Sequence, residues 1–139
     1  YYYDDEEVSL FEELKIRDRI IHQWVKNDSE LYGLYHHALC FVYSSEYEGF
    51  GIPILEAYQA NCPVLLNRRS CFPEIADNAA IYFDLDANQN NFADVFEMFL
   101  KMGKDDRESL LEIQRQRLTH FSWEQSAKYL AQVYSTISS

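Results

Sequence analysis

Between a short apolar run, Leu39-Cys40-Phe41-Val42-Tyr43, and a helical run, Ile54 to Ala60, the chain carries Glu48-Gly49-Phe50-Gly51-Ile52-Pro53. An apolar, β-rich run of that length forms a strand buried on both faces. Followed through a glycine-containing loop by a helix, it is one βα unit of a parallel sheet. Gly49 and Gly51 open backbone angles closed to other residues, and Pro53 fits the first helical position, where its missing N–H has no partner to lose. The helix start leaves amide groups and a positive dipole end for an anion such as a phosphate. Glu56, expected in the helix's first turn, and Glu48 at the head of the loop flank that anion site. A carboxylate beside a phosphate is unfavourable unless the ligand also brings hydroxyls for it to accept. A nucleotide sugar brings both. The plainer reading is a glycine turn with Glu56 complementing the helix dipole.

The remaining sequence repeats the alternation. A helix is expected over 5–15, with Val8, Phe11, Leu14 and Leu10 on its apolar face. A strand is expected at Arg19-Ile20-Ile21-His22-Gln23-Trp24, and then a helix from Glu30 to Leu39, capped by Ser29 and with His36-His37 near its end. Adjacent histidines project about 100° apart on a helix and do not readily share a metal. Asn61, before Pro63, is expected to close the central helix in the left-handed conformation. Val64-Leu65-Leu66 reads as a strand, with Asn67-Arg68-Arg69-Ser70 the loop at its end. Pro73–Ala76 reads as a short helix and Ala79–Phe83 as the last strand. A polar loop follows, comprising Asp84-Leu85-Asp86 and Asn88 to Asn91. Helices over 92–102, 106–119 and 122–137 complete the chain, the last with Ser122 and Gln125 at capping-box spacing. The expected fold is a Rossmann-like α/β parallel sheet of about four strands with helices on both faces. Ligands bind beyond the carboxyl ends of such strands, where the 48–56 and 67–70 loops share a rim.

Composition narrows the function classes. The formal net charge is −11, from 23 acidic and 12 basic residues. That excess repels a phosphate backbone, so nucleic acid is not an expected partner. The acidic starts, Asp4 to Glu7 and Glu12-Glu13, read as solvated helix ends. Cys40, Cys62 and Cys71 lack metal-ligand spacing, which suits a reducing, cytoplasmic setting. No apolar stretch approaches the roughly 20 residues that span a bilayer. The chain starts at Tyr1-Tyr2-Tyr3 and passes directly into helix-like sequence, so it is read as part of something longer.

Glu48-Gly49-Phe50-Gly51-Ile52-Pro53-Ile54-Leu55-Glu56-Ala57 closely resembles the E-x7-E signature of retaining "group 1" glycosyltransferases. Glu30-Leu31-Tyr32, Leu34 to Ala38, Pro63-Val64, Phe72-Pro73-Glu74-Ile75 and Phe121-Ser122-Trp123-Glu124 are similar to the family's flanking landmarks, in family order. The resemblance implies a two-domain GT-B enzyme of which residues 1–139 are the C-terminal, nucleotide-sugar-binding half. The first strand or strands and the N-terminal acceptor domain would be absent. It also implies transfer of a sugar with retention, with no metal and no cofactor. Glu56 would hold the donor's ribose hydroxyls, and Glu48 would approach the donor sugar as the catalytic residue. Backbone amides around Phe50, Gly51 and Ile52, reached past Gly49, would meet the diphosphate. Ser44 stands where the family usually has proline, and Asn61 where it usually has glycine. The basic residues that clamp the diphosphate belong upstream, outside this sequence; Arg68 and Arg69 share the rim but are not assigned as phosphate ligands. The expected partners are the nucleotide-sugar donor and the enzyme's own N-terminal domain, through which any peripheral membrane association would run. Two alternatives share the fold: a sugar-nucleotide epimerase relative, and a non-catalytic nucleotide-binding or interaction module. Presence of both glutamates argues against the non-catalytic module.

Overall fold

A computed structural model of the chain describes residues 3–86 and 90–137. Tyr1, Tyr2 and, from the expected polar loop, Asn88 and Gln89 lie outside the described residues. The chain divides into two compact units, Tyr1–Leu31 and Tyr32–Ser139. In the first, helix α1 (Asp5–Glu13) opens on a capping box in which Asp4 and Glu7 each accept the other's backbone N–H. The Tyr3 ring lies edge-on to Phe11 and to His22, and the Arg17 guanidinium sits over it at 5.5 Å.

The second unit is built on three parallel strands, β1 (Phe41–Tyr43), β2 (Val64–Asn67) and β3 (Ile81–Phe83), in that spatial order. Val42 pairs with Leu65 and Leu65 with Ile81, so the three strands end on one rim. Parallel neighbours need a crossover. Helix α3 (Ile52–Gln59) makes the first, and the short α4 (Phe72–Ala76) the second. Every residue of β2 is buried. Because successive side chains alternate between faces, β2 feeds two separate cores. Val64 and Leu66 pack among Ile54, Ala57 and Tyr58 of α3 and Phe72 and Ile75 of α4. Leu65 faces the other way, toward Phe83 and Phe99 of helix α5 (Phe92–Lys101). Ile113 and Leu118 of helix α6 (Lys104–Leu118) close the first core. The fold is therefore a Rossmann-like α/β sheet flanked by helices, as the sequence predicts. Helix α7 (Trp123–Ile137) follows Ser122, whose Oγ accepts the Gln125 N–H at 3.4 Å. No described helix is long and apolar enough to cross a membrane.

Several local expectations are corrected. Residues 19–24 form no strand: Arg17–Arg19 is a 3₁₀ turn, Ile20 after it is extended, and the residues that follow belong to no sheet. β-branched and aromatic residues favour an extended backbone, yet a strand also needs a neighbour's N–H and C=O, and none of the described strands pairs with this segment. Ile21 is consequently 84% exposed. Helix α2 (Asp28–His37) is capped by Asn27 and not by Ser29. The Asn27 Oδ1 accepts the Glu30 N–H at 3.0 Å, while Glu30 reaches back to the Lys26 N–H. Asn67 is the last residue of β2, fully buried, instead of the first residue of a loop.

At the far end of α3 the expectation for Asn61 holds. It has φ 54. The Asn61 N–H bonds the Tyr58 carbonyl at 3.0 Å and the Cys62 N–H bonds that of Ala57 at 2.9 Å. That double bond pattern is a Schellman closure, with buried Cys62 as its apolar contact.

Candidate functional site

The loop from β1 to α3 and the loop from β2 to α4 leave adjacent strand ends. Gly51 joins the first loop to its helix, as N-cap, with φ 87 and ψ 48. It needs to be glycine twice over. The left-handed backbone disfavours a Cβ, and a Cβ there would stand 3.1 Å from Ile54 Cδ1 and 3.2 Å from Phe72 Cε1. Gly49 needs no such freedom: its φ is not positive, and nothing crowds the place of a Cβ. The helix begins at Ile52, so Pro53 is its second residue. Pro53 has no N–H, and the Ile54 N–H bonds the Gly51 carbonyl at 2.9 Å. Among the described residues, the amides of Gly49, Phe50, Gly51 and Ile52 have no intramolecular acceptor. They remain available to an anion at the helix N-terminus.

Glu48 is held from two sides. The Ser70 hydroxyl accepts the Glu48 N–H at 3.0 Å and donates to the Glu48 carbonyl at 2.8 Å, while the Cys71 thiol donates to that carbonyl at 3.2 Å. The Glu48 carboxylate accepts from the Tyr43 hydroxyl at 2.6 Å, within the range of a charge-assisted O–H···O⁻ bond. Burial, followed by the hydrogen bond to Glu48 and its charge, pushes the Tyr43 hydroxyl up to about 12. Tyr43 is therefore a neutral donor at physiological pH, and one Glu48 oxygen is committed to it.

Glu56 departs from the sequence reading. With Gly51 able to cap in the left-handed conformation, α3 starts two residues before Ile54, and Glu56 falls in its second turn. The dipole-complementing role expected of a first-turn carboxylate does not apply. Its carboxylate is not simply turned to an open rim either. Glu56 is half-buried, and the Tyr35 hydroxyl of α2 reaches its Oε2 at 3.4 Å. Burial, with the charge and hydrogen bond of Glu56 behind it, raises the Tyr35 hydroxyl far above the usual tyrosine range. The same pair of helices is tied again where His36 Nδ1 donates to the Ala60 carbonyl at 3.2 Å.

The two arginines of the rim are engaged elsewhere. The Arg68 guanidinium lies over the Tyr82 ring at 4.6 Å, and Arg69 pairs with Asp86. Beneath them, the Asn67 amide donates at 3.4 Å to the carbonyls of Ser44 and Ser45, bracing the start of the β1–α3 loop. Among the described residues no cluster of three His, Cys, Asp or Glu side chains could hold a metal ion.

This geometry, a glycine-capped helix start with available amides at the carboxyl rim of a parallel sheet, preceded by Glu48 in the loop and followed by Glu56 in the second turn, coincides with a family match. The chain fits the model of the glycosyl transferases group 1 over residues 3–117. It belongs to that family. Among curated relatives of this group 1 glycosyl transferase chain, a serotype-specific mannosyltransferase WbdA of Escherichia coli is 31% identical over 109 residues, 77% of this chain and 13% of that protein. An O-antigen chain mannosyltransferase B of Escherichia coli is 32% identical over 112 residues, 79% of this chain and 28% of that protein. The chain thus spans less than a third of the length of these relatives. A sucrose-phosphate synthase of Thermosynechococcus elongatus superposes with a TM-score of 0.74 at 23% identity, over 95% of this chain and 33% of that one. That likeness shows the GT-B type of Rossmann-like fold.

Of the residues singled out from sequence, Glu48, Gly49 and Phe50 lie in the loop before α3, Gly51 and Ile52 form the helix start, and Glu56 lies in the second turn, against Tyr35 of α2. Ser70, Tyr43 and Tyr35 escaped the sequence reading. Ser70 stands 22 residues beyond Glu48, and only the pairing of β1 with β2 brings them together. Its positive φ of 52 has no sequence signature, since serine does not favour that region. Tyr43 had a signal, because its side chain leaves the last residue of the strand that runs into the loop.

Proposed function

We propose that this chain is the donor-binding, C-terminal half of a retaining, metal-independent, cytoplasmic glycosyltransferase that moves a sugar from a nucleotide sugar to the acceptor of a polysaccharide, glycolipid or glycoprotein. The observation that carries this is the Gly51-capped start of α3, with its available amides between Glu48 and Glu56. The amides of Phe50, Gly51 and Ile52 would take the diphosphate, and the helix end would stabilise the charge that grows on it as it leaves. Glu56 would accept the ribose hydroxyls with its carboxylate oriented by Tyr35. Glu48 would meet the sugar with the oxygen that Tyr43 leaves uncommitted. The relatives' names make mannose the first sugar to try. The acceptor would lie on the N-terminal half, and transfer requires both halves, since donor and acceptor must be held together away from water.

Backbone NMR of this chain titrated with GDP-mannose, UDP-glucose and ADP-glucose tests the proposal. The expected result is weak binding, shifts confined to residues 48–56 and 67–70, and no transfer by this chain alone. Shifts scattered elsewhere, no binding of any donor, or transfer by the chain alone would overturn it. In the full enzyme, Glu56→Gln should weaken nucleotide binding by about 1–3 kcal/mol, the range for a lost charged hydrogen bond. Calorimetric titration with the preferred nucleoside diphosphate checks that value. The anomeric configuration of the product, read by NMR, checks retention, and insensitivity of transfer to EDTA checks metal independence.

A further inference from the structure

Glu48 sits in a loop, where no helix or strand fixes its backbone, yet its N–H, its carbonyl and one carboxylate oxygen all have partners from other parts of the fold. The Ser70 hydroxyl uses both its acceptor and its donor capacity on a single peptide neighbourhood 22 residues away. A hydroxyl can do this where a methyl cannot. Ser70 does so from a left-handed backbone, φ 52, which costs a non-glycine residue energy. Glycine would relieve that strain and lose the clasp. Tyr43 acts on the other end of the same residue, with its 2.6 Å bond to the carboxylate and a ring packed 4.8 Å from that of Phe72. The Phe72 ring is fully buried, so the tyrosine hydroxyl is aimed from a rigid support.

We infer that Ser70 and Tyr43 are positioning residues that set Glu48 for the sugar of the donor, Ser70 through the backbone and Tyr43 through the carboxylate, without themselves contacting the nucleoside diphosphate. This rests on the role proposed for Glu48. Two other features carry less. The buried Gln114 amide has no partner among the described residues, but nothing places it beside a cavity. The open groove lined by Asp94, Glu97, Met98, Lys101, Met102 and Asp106 is of mixed character, and its Lys101 pairs with Glu97.

The test compares, for this chain, the affinities of GDP and GDP-mannose, and of UDP and UDP-glucose, by NMR titration. The sugar's increment is the ratio of each pair. Glu48→Gln, Tyr43→Phe and Ser70→Gly should each reduce that increment severalfold while leaving the affinity for the diphosphate within about twofold. Ser70→Thr, which keeps the hydroxyl, should retain the increment. Ser70→Gly should melt no lower than the parent, because glycine fits φ 52, and its Glu48 amide should exchange with solvent faster. A merely structural Ser70 would instead lower the melting temperature and weaken both ligands of a pair alike. If Glu48→Gln removes the increment but Tyr43→Phe and Ser70→Gly do not, the positioning inference fails and the role of Glu48 stands. If Glu48→Gln changes nothing, or no donor binds, the proposed function of the site fails, and the inference fails with it.

Discussion

Glu48 and Glu56 belong to one short motif, yet the loop and the helix that carry them are held by different physics. Glu56 stands on α3, a helix fixed by its own ladder, by Gly51 at one end and by the Schellman closure at Asn61 at the other. It needs little help, and its single side-chain partner among the described residues is Tyr35, through a long 3.4 Å bond. Glu48 stands where no ladder reaches. Its backbone and side chain are therefore tied down separately, by Ser70 and Cys71 on one side and Tyr43 on the other. A site residue in a helix can be specified by nearby sequence, whereas one in a loop must borrow rigidity from distant segments.

Gly51 is the joint between these two regions, and breaking it should have the largest effect. Gly51→Ala must place a Cβ at φ 87 and against Ile54 and Phe72. The left-handed backbone costs about 1–2 kcal/mol and the overpacking about 1–3. A loss of roughly 2–5 kcal/mol is expected in urea denaturation, with Glu48 and Glu56 disturbed together in the amide spectrum. A loss below about 1 kcal/mol would mean that loop and helix are not joined there.

The helix side is sharpened at its other end. Asn61→Val should cost about 1–2 kcal/mol by crowding the left-handed backbone, while Asn61→Gly should be neutral or stabilising. Both variants also lose the exposed 2.8 Å bond from Arg115 to the Asn61 side chain, so their difference isolates the backbone. Equal melting temperatures would show that α3 does not depend on its closure.

The loop side is sharpened by pH, with the smallest expected effect. The Tyr43 hydroxyl is raised from its ordinary value of 10.0 to about 12, chiefly by burial and then by Glu48. A raised folded value means that the neutral form stabilises the fold. That contribution is complete below pH 10 and is lost as pH rises through 12. The parent should therefore lose stability across that interval more steeply than Tyr43→Phe, the other tyrosines acting equally in both. Melting temperatures from pH 9.5 to 12 measure the difference, and parallel curves would show that Tyr43 does not grip Glu48.

The sequence by itself determined what depends on neighbours along the chain. It specified the alternation of short apolar strands with helices, the helix start beside Gly51, the left-handed Asn61 before Pro63, and the family, because propensity, periodicity and motif act over a few residues. Tertiary structure decided what depends on partners far along the chain. Residues 19–24 read as a strand but belong to no sheet, since a strand exists only by pairing. Asn67 read as loop but ends β2, because Phe83 lies opposite it. Glu56 moved to the second turn because Gly51, free to take the left-handed conformation, caps the helix early. The hold of Ser70 on Glu48 was hidden for the same reason: a hydrogen bond across 22 residues leaves no local pattern, and only the parallel pairing of β1 with β2 creates it.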